Sequence, residues 1–147
     1  MNAHETITAD RPPAALSLDG VALFLDLDGT LAPIAPRPQD VGPDARVTRL
    51  IERLAAGLQG RLAVLSGRTL ADVDRILEQR VQAVASVHGL IRRNAAGELL
   101  APDPHPDLAD AAAAFRTFAG RDPGLIVEDK GHSVALHYRL APASSGE

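Results

Sequence analysis

Residues 21–25, Val-Ala-Leu-Phe-Leu, form a wholly apolar run, and two carboxylates one residue apart, Asp26 and Asp28, follow it directly, with Gly29, Thr30 and Leu31 beyond. Apolar residues without alternation predict a strand buried on both faces, the kind found in the middle of a parallel sheet. Charges at the carboxyl end of such a strand face the crevice where open α/β sheets bind ligands. Residues i and i+2 of extended chain project to the same side, so Asp26 and Asp28 converge. At ~4 Å and an effective dielectric of roughly 20 they repel by about 4 kcal/mol. A cation between them relieves that repulsion, and an oxygen-only carboxylate pair suits Mg²⁺. A calcium loop of the EF-hand type does not fit, because it needs glycine at its sixth position and glutamate at its twelfth. A solvated turn would not call for an apolar run leading into the acids. The pattern points to phosphoryl transfer.

The rest of the chain predicts where such a strand would sit. Residues 1 to about 17 read as a mobile tail. Residues 32–42, with Pro33, Pro36 and Pro38, predict an irregular loop over the sheet edge. Pro43 suits a first helical position, and Val47, Leu50, Ile51, Leu54 and Leu58 recur at helical spacing. Gly57 and Gly60 mark that helix's end. Residues 61–65 supply a second strand, Ser66-Gly67-Arg68 a turn, and Thr69 with Asp72 a capping box for a helix carrying Leu70, Val73, Ile76 and Leu77. Residues 81–87 give a third strand, ending at His88-Gly89. Residues 90–93 and 98–101 flank Asn94-Ala95-Ala96-Gly97 as a hairpin. Strand and helix alternate to this point, the signature of a parallel sheet with right-handed crossovers.

The pattern changes near Pro106. An alanine-rich helix over residues 107–119 carries Leu108, Ala111, Ala112, Phe115 and Phe118 on its apolar stripe. Two strands follow, residues 125–128 and 133–139, the second with Val134, Leu136 and Tyr138 on one face. Helix followed by antiparallel hairpin is α+β logic. The expected division is a tail (1–17), an α/β core (18–105) and an α+β module (106–147).

Composition narrows the partners. A chain of 147 residues, 46% hydrophobic and 23% charged, is globular in type. Net charge is −4, without a basic block, which argues against nucleic acid or an anionic membrane as partner. Absence of cysteine excludes disulfides, thiol catalysis and Cys-ligated zinc. No run approaches spanning length and the first residues do not make a secretion signal, so a soluble cytoplasmic protein is expected.

Three further places could carry chemistry. Ser66 ends the second strand, and its hydroxyl, the Gly67 N–H and the helix N-terminus behind them could hold phosphate oxygens; the plainer alternative is a turn and a cap. Arg68 could orient a phosphate or pair with a carboxylate. His88 is a candidate substrate contact, against the plainer role of a hydrogen-bonded structural histidine. The turn Val127-Glu128-Asp129-Lys130-Gly131 could be a solvated hairpin tip, yet Lys130 is the only lysine among 15 basic residues. Carboxylate and ammonium together can grip sugar hydroxyls as acceptor and donor.

Phe24-Leu25-Asp26-Leu27-Asp28-Gly29-Thr30-Leu31 resembles the first motif of the haloacid dehalogenase superfamily. With Leu65-Ser66-Gly67-Arg68, His88-Gly89, Glu128-Asp129-Lys130-Gly131 and Leu136-His137-Tyr138-Arg139 in that order, the chain is similar to trehalose-6-phosphate phosphatases from about residue 21 to 142. The resemblance implies a Rossmann-like, three-layer core with the first half of an α+β cap, and Mg²⁺-dependent hydrolysis of a small sugar phosphate, trehalose 6-phosphate. Asp26 would be the nucleophile, Asp28 the acid and base, and both would ligate the metal. Thr30, Ser66, Gly67 and Arg68 would meet the phosphate, and His88, Glu128 and Lys130 the sugar.

Members of that family continue well past residue 147, through the rest of the cap and then a phosphate-binding lysine and an acidic motif that completes the Mg²⁺ site. Residues 140–147 hold no lysine and one glutamate. The resemblance therefore implies a phosphatase represented here without its later motifs, little active alone, with an unpaired edge on the strand of Asp26. The alternatives are a non-catalytic sugar-phosphate-binding remnant and a phosphatase of the same superfamily for another sugar.

Overall fold

The computed structural model of the chain describes residue 15 and residues 17–141. Most of the expected tail, and residues 142–147, lie outside the described residues. Five strands form one sheet in the order β1 (Leu23–Asp26), β2 (Leu62–Leu65), β3 (Ala83–Ser86), β4 (Ile91–Arg93) and β5 (Leu99–Leu100). β1, β2 and β3 run parallel, and the β4–β5 hairpin adds to β3 antiparallel. Two helices, α1 (Ala45–Leu58) and α2 (Leu70–Ile76), make the crossovers.

In-register pairing sets the core. Leu25 lies beside Val64 and Val64 beside Val84, so these side chains share one face. Ile51 and Leu58 of α1 and Val73 and Ile76 of α2 cover that face in one buried cluster. Each such side chain, fully buried, contributes about 1.5–3 kcal/mol. The opposite face carries no helix among the described residues. Phe24 is 66% exposed there, with Leu65 and Leu100 also exposed. Among the described residues β1 is not buried on both faces as its apolar run predicts: the described sheet has one covered face, and β1 is its outer strand. That edge has no partner strand among the described residues.

Local differences have local causes. Helix α1 begins after Asp44, whose carboxylate accepts the Arg46 N–H at 2.7 Å, so Pro43 precedes the cap instead of opening the helix. Leu50 faces solvent, and Thr48 is buried in its stead, donating its hydroxyl to Glu78 at 2.6 Å. Gly57 lies inside α1: a Cβ there would stand 2.8 Å from Leu18 Cδ1, so the missing side chain admits Leu18. Gln59 and Gly60, both left-handed, end the helix.

The second module comprises α3 (Leu108–Ala119) and an antiparallel pair, β6 (Ile126–Asp129) and β7 (Val134–His137). α3 packs against both strands, with Ala112 buried and Phe115 and Phe118 half-buried. Ala111, placed on the stripe by spacing, is exposed.

Candidate active site

Leu27 is fully buried in the core. Alternation along the extended chain then turns Asp26 and Asp28 the other way, and both line one cleft of about 380 Å³. A tight turn holds them there: the Leu31 and Ala32 N–H groups donate to Leu27 O, and the Gly29 N–H to Ala32 O at 2.7 Å. Gly29 has φ 86°, a left-handed value that glycine adopts without cost.

Arg68 resolves an alternative the sequence left open. Its Nε and Nη2 donate to Asp28 at 2.7–3.1 Å, and its Nη1 to the Pro38 carbonyl at 2.6 Å. The guanidinium therefore pairs with a carboxylate, in a buried fork suited to bidentate contact. Ser66 is buried, and its Oγ accepts the Arg68 N–H at 3.1 Å. Neither Ser66 nor the exposed Thr30 is among the residues lining the cleft, whereas Gly67 and Arg68 are. Behind this loop the Thr69 hydroxyl accepts the Asp72 N–H and donates to the Asp72 carboxylate at 2.7 Å, capping α2 as its spacing predicts. Burial pushes the Asp72 carboxyl up, but the Thr69 hydroxyl and the Arg75 guanidinium outweigh it and hold the group below its ordinary value.

His88 sits on the neighbouring turn, in a left-handed conformation (φ 56°) together with Val87 (φ 49°). Such values are costly for a β-branched residue. The turn is fastened to the preceding loop by Val87 N–H to Arg68 O (2.9 Å) and His88 N–H to Ser66 O (3.0 Å). These bonds press the imidazole onto Gly67, where a Cβ would lie 2.5 Å from the ring. Glycine at 67 is what lets His88 line the cleft.

The charged turn of the second module closes the cleft's other side. Lys130 is nearly buried and donates from Nζ to Gly67 O at 2.8 Å, so it is not a solvated tip. Glu128 lies 3.4 Å from Lys130 and bonds to His137 Nε2 at 2.7 Å. Arg139 donates to Ala35 O at 2.9 Å. His137 and Arg139 line the cleft and were not among the candidates from sequence. The signal for them was present: if Val134, Leu136 and Tyr138 share one face of the strand, His137 and Arg139 share the other.

The fit to Mg²⁺ rests on the donor set. Three carboxylates line the cleft, and two of them, Asp26 and Asp28, lie one residue apart; Mg²⁺ is commonly bound through one or two carboxylates together with water and phosphate oxygens. Among the described residues no group of three or more His, Cys, Asp or Glu could hold a metal. The residues fit an ion completed by substrate and solvent, not an all-protein cage. Among the described residues, too, no helix is long and apolar enough to cross a membrane.

Residues 24–147 match the family model described as trehalose-phosphatase. A probable trehalose-phosphate phosphatase of Sinorhizobium fredii is 34% identical over 97% of this chain and 54% of its own length. The trehalose-6-phosphate phosphatase of Escherichia coli is 36% identical over 82% of this chain and 46% of its own. Among solved structures, a trehalose-6-phosphate phosphatase related protein superposes with TM-score 0.66 at 26% identity, over 80% of this chain and 51% of that one. The C-terminal domain of the Candida albicans trehalose-6-phosphate phosphatase, at TM-score 0.67 and 22% identity, shares the fold. The chain spans about half the length of these two curated relatives.

Proposed function

This chain belongs to the trehalose-phosphatase family, and from that premise we propose that the full-length protein hydrolyses trehalose 6-phosphate to trehalose and phosphate. The observation that carries the reading is one cleft lined both by the acid pair, Asp26 and Asp28, and by Glu128 and Lys130 from the hairpin. The first pair suits phosphoryl transfer and the second suits hydroxyl recognition. In this reading residues 18–105 are the catalytic core and residues 106–147 the start of a cap that selects the sugar.

Asp26 attacks phosphorus and forms an aspartyl phosphate as the bond to the sugar oxygen breaks. Asp28 gives the departing alkoxide a proton, then takes one from the water that attacks phosphorus, releasing phosphate and restoring Asp26. To do so it must exchange the Arg68 fork for the reacting oxygens. Gly67 and Arg68 border the phosphate's path, with Ser66 and Thr30 contacting it only through movement of their loops. His88, Glu128 and Lys130 meet the sugar. Bound at Asp26 and Asp28, Mg²⁺ would offset charge on the phosphoryl oxygens. No nucleic acid or membrane enters this scheme, and a cytoplasmic small-molecule enzyme accords with the net charge of −4.

Phosphate release from trehalose 6-phosphate, sucrose 6-phosphate and glucose 6-phosphate tests the proposal. The full-length protein is expected to prefer the trehalose ester, to need Mg²⁺ and to fall to background on Asp26→Asn. Undiminished turnover by Asp26→Asn would remove the mechanism, and preference for another ester would remove the substrate. The 147-residue chain alone should release little phosphate, since two carboxylates are all its described cleft core offers a metal.

A further inference from the structure

The cleft contains a contact that neither the acid pair nor the sugar-facing turn requires by itself. Ile126 pairs with His137 and Glu128 with Ala135 across the β6–β7 ribbon. Glu128, two residues along from Ile126, therefore shares its face and is the diagonal neighbour of His137, within reach of a long side chain. Ala135, directly opposite, has no polar side chain to compete for the carboxylate. The His137 Nε2 to Glu128 Oε2 distance is 2.7 Å. A carboxylate only accepts, so Nε2 carries the proton that faces it.

Lys130 approaches the same oxygen, Oε2, at 3.4 Å, while its short bond goes to Gly67 O at 2.8 Å. Both donors thus converge on Oε2, and neither contact uses Oε1. A glutamate carboxylate otherwise turns through a broad terminal torsion. Two donors on one oxygen fix its plane and leave the other oxygen as an acceptor in the cleft.

We propose that His137 is a positioning residue: it holds the Glu128 carboxylate so that Oε1 is presented to a hydroxyl of the sugar leaving group. This rests on the reading of the cleft as a sugar-phosphate site. His137 acts through Glu128 and need not touch substrate, so its loss weakens binding more than turnover.

The test is steady-state hydrolysis of trehalose 6-phosphate by the full-length protein. His137→Phe should raise KM about tenfold, the scale of one hydrogen bond to a charged group, with kcat within about twofold. His137→Gln, which returns an N–H donor at comparable reach, should bring KM back to within about threefold. Should His137→Phe not fold, His137→Asn, whose amide falls short of the carboxylate, takes its place. Combined with Glu128→Ala, the change at His137 should add nothing further. An unchanged KM, or additive losses in the double variant, would overturn the proposal, the latter because His137 would then contact substrate independently. A separate readout stands apart from the substrate assignment: in the ligand-free full-length protein, the His137 Nε2–H proton should exchange slowly enough to give a nuclear magnetic resonance signal, lost on Glu128→Ala. If trehalose 6-phosphate proves not to be the substrate while that signal behaves so, the functional reading fails and the positioning contact stands. If the signal survives Glu128→Ala, the positioning contact fails.

Discussion

Gly67→Ala is the sharpest test of how the cleft is assembled. An added Cβ would lie 2.5 Å from His88 Cε1 and 2.7 Å from His88 Nε2. Carbon atoms pack best at about 3.5–4.0 Å, so the ring must recede by roughly 1 Å. It cannot do so by shifting the backbone cheaply, because the Val87 and His88 N–H groups are bonded to Arg68 O and Ser66 O. The ring must leave its rotamer or the loops must part, at about 1–3 kcal/mol for a forced core contact. Gly67 itself has no left-handed φ, so alanine meets no backbone penalty there. In a His88→Ala background the clash partner is gone, and Gly67→Ala should become neutral or stabilising by up to ~1 kcal/mol through the unfolded chain. Denaturant unfolding of the four chains of this cycle measures the reversal of sign directly. An equal cost of Gly67→Ala with and without the imidazole would refute the claim that glycine is there to seat His88.

Two further changes probe the neighbouring loop. Arg68→Met removes the fork from Asp28 and leaves the Pro38 carbonyl without its donor; because Asp28 is 38% exposed and water can replace the lost partner, the expected loss is about 1 kcal/mol in denaturant unfolding, and a loss several times larger would mean that the fork organises the whole loop. Thr69→Ala should cost about 1 kcal/mol by uncapping α2. Since the Asp72 carboxyl is held below its ordinary value, its contribution is full above the unfolded value of about 3.9 and fades as pH falls through the folded one. The stability gap between wild type and Thr69→Ala should therefore narrow on acidification below about pH 4, and a gap that widened would contradict the role given to that hydroxyl.

What could be read from the residues, and what could not, divides by the distance over which the deciding contact acts. The apolar strand with its acids, the Thr69 cap and the hairpin around Asn94 are settled within a few residues, by alternation, capping and turn chemistry. The face of β1 that carries Phe24 is a different matter. An apolar residue there predicts burial, and Phe24 is nonetheless 66% exposed among the described residues. Apolarity records what a side chain can be packed against, and the packing partner is a separate fact held elsewhere in a chain. Leu50 fails for a related reason: Thr48 wins the inward position because Glu78, thirty residues away, satisfies its hydroxyl.

Charged side chains show the same division most clearly. Arg68 had two chemically equal fates, phosphate or carboxylate, and only the folding of the loop after β1 against it decides between them. Lys130 reads locally as the tip of a solvated turn, yet it is nearly buried because a carbonyl 63 residues earlier in the chain accepts its proton. The apolar residues Val134, Leu136 and Tyr138 signal packing for their strand, whereas His137 and Arg139, which alternate with them, line the cleft. In a strand at a cleft, the apolar alternation fixes one face as packing and thereby assigns the other to the ligand. The polar complement of a packing stripe is thus itself a prediction, and here it supplies His137 and Arg139, both of which line the cleft.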